Sequence, residues 1–563
     1  MDILEKRWQI APRLTPEAQH NLQAFSPVMG QLLFNRGIST HEAAEEFLRA
    51  EAPDYDVFQL SGMTTAVERI EAAITAGESI VVYGDYDTDG VTACALLVTA
   101  LKAMGAEVRA YIPDRFEEGY GLNREALSEL KEAGANLVIT VDCGIRAIPE
   151  AEHAREIRLD LIITDHHTPG PETPPALAVI NPKLAGDAYP EKNLAGVGTA
   201  YMLAAGLIEH YQPANFPKHA LLDLVAIGTV ADMVPLVGQN RALVKQGIHM
   251  LRRPHRQGLL SLMGVAGVQP AQLASSHIGF MLGPRLNAAG RLASAMDAYR
   301  LLMADDVFEA GKLAQDLDNV NRERQHIMRT MSEKAEAIAQ GSDPEAMLLF
   351  AADESFNMGV VGLAASRLVE QYYRPAIVAN KGEAFTRASC RSIPEFHITH
   401  ALDACADLLD HFGGHAAAAG FTVRNENADE LVARLKKLAK DALKDKDLRP
   451  TLLADAEVQL NQLNADLIRD LDGLQPTGYG NPEATFVARD LYVKSSRTVG
   501  GDGAHLKMTV SDGWVFMDAI AFRQGHWYGA LGEKVDLLFQ FEINEFQGRK
   551  SFQLNVRDIK PSR

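Results

Sequence analysis

Between residues 79 and 164 short apolar runs alternate with longer mixed stretches. Ser79 to Tyr83, Glu107 to Ile112, Leu137 to Val141 and Leu161 to Thr164 read as strands, with Ser79–Tyr83 and Leu137–Val141 apolar enough to be buried on both faces. Gly90 to Met104, Asn123 to Ala133 and Ala147 to Arg155 read as the helices between them. This rhythm implies βαβ units around a parallel sheet. Helical segments follow at about 195–211 and 218–230. Before residue 65 the pattern is one of short helices, one of them opened by Thr40 as N-cap with Glu42 in its first turn. Residues 302 to about 340 contain no proline, and their charged stretch Asn321-Arg322-Glu323-Arg324 suits a partly exposed connecting helix. A second α/β pattern begins near Ala346, with a strand at 346–351, a helix at 359–370 and a strand at 375–379. After a charged stretch near 440–450 the chain turns β-rich, in Leu506 to Val510, Trp514 to Ile520, Val535 to Ile543 and Ser551 to Val556, as in a small closed barrel.

The expected organisation is a 1–64 helical segment, a 65–240 parallel-sheet domain, a 241–301 basic segment, a 302–345 long helix, a 346–445 smaller α/β domain and a 451–563 β barrel. A length of 563 residues accommodates several domains, each with its own core.

Charge narrows the chemistry. Acidic residues outnumber basic ones by 74 to 55, so the protein is not a general polyanion coat. A nucleic-acid partner needs a local basic site or metal ions. Residues 241–300 hold eight Lys/Arg (Arg241, Lys245, Arg252, Arg253, Arg256, Arg285, Arg291, Arg300) against the single acid Asp297, which is either such a site or a solvated positive face. The barrel region is acidic overall and adds nothing to that argument. Four scattered cysteines form no CxxC pair, which argues against a zinc ribbon or a disulfide framework. Charges in the first ten residues argue against a signal peptide, and no apolar run is long enough to span a bilayer. A soluble cytoplasmic protein with no membrane partner is expected.

Ligands of parallel sheets gather beyond the carboxyl ends of the strands. Tyr83 is followed by Gly84-Asp85-Tyr86-Asp87-Thr88-Asp89-Gly90, Val141 by Asp142-Cys143-Gly144, and Thr164 by Asp165-His166-His167. The helical segment near 230 ends in Asp232. A single Asp here could be a turn or a helix cap, and a lone His pair is more often structural. The DxDxDG run also lacks the closing Glu of a calcium loop, since Leu96 stands there. Their coincidence at three successive strand ends favours a metal site. Carboxylates this close repel unless a cation neutralises them. Carboxylate with imidazole can hold two divalent ions, leaning to Mn²⁺ over Mg²⁺, and such a pair serves phosphoryl chemistry.

The three strand-end segments, with Gly228-Thr229-Val230-Ala231-Asp232-Met233-Val234-Pro235, resemble the first four motifs of the DHH phosphoesterase superfamily. Gly283-Pro284-Arg285-Leu286-Asn287-Ala288-Ala289-Gly290-Arg291 and Gly413-Gly414-His415 through Gly420 resemble its branch of single-strand-specific 5′-to-3′ DNA exonucleases, from about residue 65 to the end. The resemblance implies a DHH domain joined by the long helix to a DHH-associated domain, with an OB-like barrel after it. It makes Asp87, Asp89, Asp142, His166 and Asp232 metal ligands with Asp85 close by. His167 would contact the scissile phosphate, and Asp165 would orient its histidine neighbours. Arg285, Asn287 and Arg291 would hold nucleic acid, as would Ser389, Arg391, Gly413, Gly414 and His415. Single-stranded DNA would thread a groove between the lobes and lose 5′ mononucleotides, in DNA repair and recombination. A single-strand-binding protein and a helicase are the expected companions of a monomeric enzyme. The alternatives are a DHH phosphodiesterase acting on short oligonucleotides, cyclic dinucleotides or polyphosphate, and a non-catalytic scaffold.

Two departures bear on this. Tyr83 stands where some relatives, such as the manganese pyrophosphatases, carry a histidine, which implies one metal with fewer protein ligands. Phe356-Asn357 replaces a Trp-His that many members of the branch place before Gly359-Val360-Val361-Gly362.

Overall fold

A computed structural model describes the chain except residues 1–3, 52, 54, 115–117, 119–120, 214–215, 343–345, 547 and 563. It divides into two compact units. One comprises Trp8–Gly290, Ser294–Leu317 and Leu453–Arg563. The other comprises Met1–Arg7, Arg291–Ala293 and Asp318–Leu452.

The first unit is built on five parallel strands: β1 (Ser79–Gly84), β2 (Glu107–Tyr111), β3 (Leu137–Val141), β4 (Asp160–Thr164) and β5 (Ala178–Ile180), in the order β2-β1-β3-β4-β5. Side chains alternate between two buried faces, as a strand period of two requires. Ile80, Val82, Ile139 and Ile162 pack with the helices Thr88–Ala103, Gly196–Tyr211 and Leu222–Ala231. Val81, Tyr83, Val138 and Ile163 pack with the helices Arg124–Glu132 and Ile148–Glu156. The order reverses between β1 and β3, where a parallel sheet opens a crevice at its carboxyl edge.

A barrel closes the same unit. Its strands are β6 (Phe486–Val499), β7 (His505–Ser511), β8 (Phe516–Ala521), β9 (Lys534–Phe546) and β10 (Arg549–Pro561). β6 pairs with both β7 and β9, so the circuit β6-β7-β8-β10-β9 has no free edge. β6, its longest strand, is not evident in the sequence pattern. It is broken by register shifts between Ala488 and Leu491 and between Val493 and Ser495, which scramble the alternation. The N-terminal helices place Met29, Leu32 and Leu33 in the barrel's core cluster. Thr40 caps its helix as expected, accepting from Ala43 N, but Arg7–Ile10 form a strand among those helices.

The expected connector over 302–345 is two helices. Ala295–Met303 ends before Asp306, whose carboxylate accepts from Phe308 N and Glu309 N and starts a new helix, Val307–Ser342. Residues 343–345 of the expected span lie outside the described residues. The second unit holds a five-stranded sheet of Leu349–Asp353, Ala376–Lys381, Phe385–Arg391, Leu409–Gly414 and Ala418–Arg424, in which only the first two strands are parallel. The helices Val361–Tyr372 and Asn425–Leu443 contribute to its two core clusters.

Candidate metal centre and phosphate-binding elements

The sheet register aligns the chemistry. Gly84 pairs with Val141, Val141 with Thr164, and Thr164 with Ile180. Asp85, Asp142, Asp165 and Asn181 therefore leave four neighbouring strands at one level. Asp142 takes a left-handed backbone, φ 63°, an uncommon conformation for a residue with a side chain.

His166 Nε2 lies 3.1 Å from Asp142 Oδ1, 3.6 Å from Asp232 Oδ2 and 3.9 Å from Asp89 Oδ2. His167 Nδ1 is 2.8 Å from Asp165 Oδ1. Possible ligand atoms converge in three overlapping groups: Asp142, Asp165, His166 and His167; Asp89, His166 and Asp232; Asp85, Asp87 and Asp142. Asp142 and His166 each belong to two groups. Asp142 Oδ1 and both ring nitrogens of His166 are buried without a hydrogen bond. Buried polar atoms are normally satisfied, so this donor set of carboxylates and imidazole fits divalent cations.

The other acids are held by backbone. Asp87 Oδ1 caps the helix Thr88–Ala103, accepting from Asp89 N and Gly90 N. Asp89 accepts from Gly196 N at 2.6 Å and Val197 N at 2.8 Å, at the positive end of the helix Gly196–Tyr211. Asp165 accepts from the backbone of His166, His167 and Ile145, and pairs with the His167 ring. Its oxygens are committed, which makes it an orienting residue.

Proton affinities follow from this packing. Burial, then the charges of Asp232 and Asp87, holds Asp89 well above the ordinary carboxylate value. Burial, then Asp89, does the same to Asp142. Burial, then Asp87, pushes Asp232 up to about 7. His166 is pushed down to about 3 by burial and then by His167, so a neutral imidazole offers its lone pair. For His167, burial acts downward but the hydrogen bond and charge of Asp165 outweigh it, and the net shift is upward.

Sequence reasoning missed several supports. Lys183 Nζ donates to His166 O at 2.6 Å, and Asn181 Nδ2 donates to His167 O at 2.9 Å. Together they clamp the carbonyls of both histidines. Their signal is faint: β5 has three residues, too few to mark Asn181 as a strand-end residue. Gly196 is required because a Cβ there would lie 2.4 Å from Asp142 Oδ1, and one on Gly228 would lie 2.3 Å from Thr92 Oγ1 and 2.8 Å from Asp89 Oδ1.

Asn287 Oδ1 accepts from Thr88 N, and a Cβ on Gly290 would strike Tyr86 O, so this motif braces the Asp85–Asp89 loop. Arg285 Nη1 donates to Met281 O. The basic segment is not one positive face. Arg241 is 2% exposed and donates to the carbonyls of Phe47, Gly473, Leu474 and Pro476. Lys245 donates to Leu48 O and Arg49 O, Arg252 to Leu273 O, and Arg256 pairs with Asp223. Sequence charge does not distinguish a staple from a binding face.

In the second unit, Ser389, Gly420 and Gly413 lie opposite one another on three adjacent strands. Arg391 Nη1 donates to Ser389 Oγ at 3.1 Å and to Cys390 O at 2.8 Å. A Cβ on Gly362 would lie 2.9 Å from Arg391 Nη2 and 3.0 Å from Ser389 Oγ, which brings the start of the helix Val361–Tyr372 against this pair. Arg291, in the same unit, donates to Gly359 O. Gly414, φ 148°, is required by Ala418 and Ala419, whereas Gly413 has open space and His415 is exposed.

The family described as "DHH family, N-terminal domain" matches residues 79–229, the DHHA1 domain residues 345–441 and the RecJ OB domain residues 454–558. The single-stranded-DNA-specific exonuclease RecJ of Bacillus subtilis is 39% identical, over 95% of this chain and 68% of its own. That of Dickeya dadantii is 37% identical, over 98% and 99%. The chain belongs to the RecJ family. A crystal structure of Thermus thermophilus RecJ in complex with Mn²⁺ superposes with a TM-score of 0.85 at 31% identity, covering 99% of this chain and 80% of that one.

Within this RecJ-family chain the two departures have structural explanations. Tyr83 is fully buried among the apolar residues of one sheet face, and its hydroxyl donates to Gly121 O. Phe356 is a core residue of the second unit, and Asn357 Oδ1 accepts from Gly359 N to shape the turn before the helix Val361–Tyr372.

Proposed function

We propose that the protein is a metal-dependent exonuclease that hydrolyses single-stranded DNA from its 5′ end and releases 5′ mononucleotides. The observation that carries this reading is the convergence of Asp142 and His166, with buried atoms that make no hydrogen bond, at the carboxyl edge of the sheet. Asp87, Asp89, Asp142, His166 and Asp232 would hold two divalent ions, with Asp85 beside them, and Mn²⁺ or Mg²⁺ suits these donors. Such ions polarise the phosphodiester and lower the pKa of an attacking water.

The chain's own groups do the rest. Asp165 grips His167 Nδ1 and leaves the other ring nitrogen for a phosphate oxygen. The hydrogen bond and charge of Asp165 favour a ring that donates from Nδ1. Water adds at phosphorus, the P–O3′ bond breaks, and the departing 3′ oxygen takes a proton. The shortened strand keeps a 5′ phosphate and is again a substrate. Arg391, Ser389 and the helix start at Gly362 form the element that would grip such a terminal phosphate. His415 and Gly413, both exposed, would border the strand, and Arg285, Asn287 and Arg291 would support it. A role in DNA repair and recombination, beside a single-strand-binding protein and a helicase, in the cytoplasm and as a monomer, completes the reading. Among the described residues no helix is long and apolar enough to cross a membrane.

The test is timed product analysis on strands labelled at either end, with Mn²⁺, Mg²⁺ or chelator. Mononucleotides appear first from the 5′ end, only with metal, and duplex is spared. Arg391→Ala raises KM for 5′-phosphorylated ends more than it lowers kcat. Release from the 3′ end, or preference for dinucleotides over long strands, overturns the proposal in favour of a short-substrate phosphodiesterase.

A further inference from the structure

Two large, exposed apolar side chains take no part in the chemistry above. Met233 follows Asp232 and is 68% exposed. Its backbone is left-handed, φ 61°, unfavourable for a residue with a side chain. Phe280 is 84% exposed, in the middle of the π-helical turn Ile278–Leu282. Single exposed apolar residues are ordinary on protein surfaces. These two share irregular backbone, of the kind that gathers at functional sites.

The segments that carry them are also packed together. A Cβ on Gly279 would lie 3.7 Å from Val230 Cγ1, and one on Gly283 would lie 3.4 Å from Ala231 Cβ. Phe280 therefore stands in a segment packed on the end of the helix Leu222–Ala231, where Asp232 and Met233 begin. Gly283 O also accepts the Thr88 hydroxyl at 3.2 Å. The segment carrying Phe280 thus touches both the loop of Asp85, Asp87 and Asp89 and the helix that delivers Asp232. The neighbouring carboxylates suit metal ions, and both imidazoles are engaged with rim carboxylates. An aromatic ring and a thioether, both apolar and polarisable, suit a base and do not distinguish one base from another.

We propose that Met233 and Phe280 form an apolar seat for a nucleobase next to the phosphodiester being cut, holding it by stacking without reading its identity. The inference rests on the exonuclease reading. It is tested by comparing kcat/KM on a natural single strand with that on a strand whose first 5′ nucleotides are abasic. The wild type prefers the natural strand. Phe280→Ala loses about 5- to 100-fold on the natural strand, so its ratio of natural to abasic rates falls towards one. Met233→Ala acts in the same direction more weakly, and Phe280→Trp restores the ratio. Calorimetric Mn²⁺ binding by Phe280→Ala matches the wild type. Equal losses on both strands, or an undiminished ratio, overturn the inference while the exonuclease stands. A wild type inert on both strands removes the underlying reading as well.

Discussion

The acidic rim and the helix Gly238–Leu251 both take charge out of water, in opposite ways. In the helix, Arg241 is buried, yet four carbonyls receive its guanidinium and the Phe47 ring covers it at 4.0 Å. Burial and then Arg36 push its pKa down only to about 10, so it stays charged near neutrality. In the rim, Asp89, Asp142 and Asp232 crowd one another, and Asp142 and His166 keep buried atoms without a hydrogen bond. A buried charge met on every side closes a fold. A group of like charges left unmet awaits a ligand. Charge is buried in both places, and the difference is satisfaction.

Replacing the central acid breaks the comparison on the rim side. Asp142→Asn keeps the shape and removes one charge. It is expected to lower kcat by more than about 10³-fold, roughly 4 kcal/mol of transition-state stabilisation. The metal-free variant melts no lower than the wild type, because like-charge repulsion is relieved. Calorimetric melting beside single-turnover hydrolysis checks both halves. A metal-free variant that melts well below the wild type would show that Asp142 stabilises the fold.

The opposite outcome is expected at Arg241. Arg241→Ala leaves several backbone acceptors without their donor and is expected to cost about 3 kcal/mol of stability. Activity per folded molecule, measured well below the melting temperature, is unchanged. A large fall in kcat with unaltered stability would move Arg241 to the functional side.

These two positions also show what is legible in the sequence. Asp85, Asp142 and Asp165 were legible because each ends an apolar strand run, and the sheet register places them side by side. The Arg241 staple was not, because its partners are carbonyls of residues 47 and 473–476, distant in sequence and invisible to pattern. Gly196 and Val197 read only as a helix start in the sequence, since their grip on Asp89 is tertiary. β6 escaped because its bulges break the alternation.

A third expectation concerns pH. The Asp232 carboxyl, pushed up to about 7 by burial and Asp87, titrates near ~4 in an unfolded chain. Its stabilising contribution is complete below that lower value and is lost as pH rises through about 7. With chelator present, the melting temperature is expected to decline across this window, by an amount worth on the order of 1–3 kcal/mol. The increment from added Mn²⁺ grows over the same window, because ligands must be deprotonated. Asp232→Asn makes the metal-free slope shallower, Asp89 and Asp142 supplying the remainder. A slope unchanged in that variant assigns the pH response to other groups.

The smallest expected effect lies where the two kinds of site meet. Asn181 and Lys183 clamp the carbonyls of His167 and His166, so they stabilise the rim as Arg241 stabilises its helix. Removing an orienting partner one shell out from a metal costs about 10- to 100-fold in affinity. Asn181→Ala is expected near the lower end, because it loosens the His pair without changing any charge. Lys183 differs. Burial lowers its pKa while Asp232 and Asp165 act to raise it, which places its ammonium in the field of the rim. Lys183→Met removes a clamp and also a cation that repels the metal, so the two changes oppose. Its Mn²⁺ affinity should therefore fall less than that of Asn181→Ala in parallel calorimetric titrations. A larger fall for Lys183→Met would mean that the clamp outweighs the repulsion, and that this lysine is a staple of the same kind as Arg241.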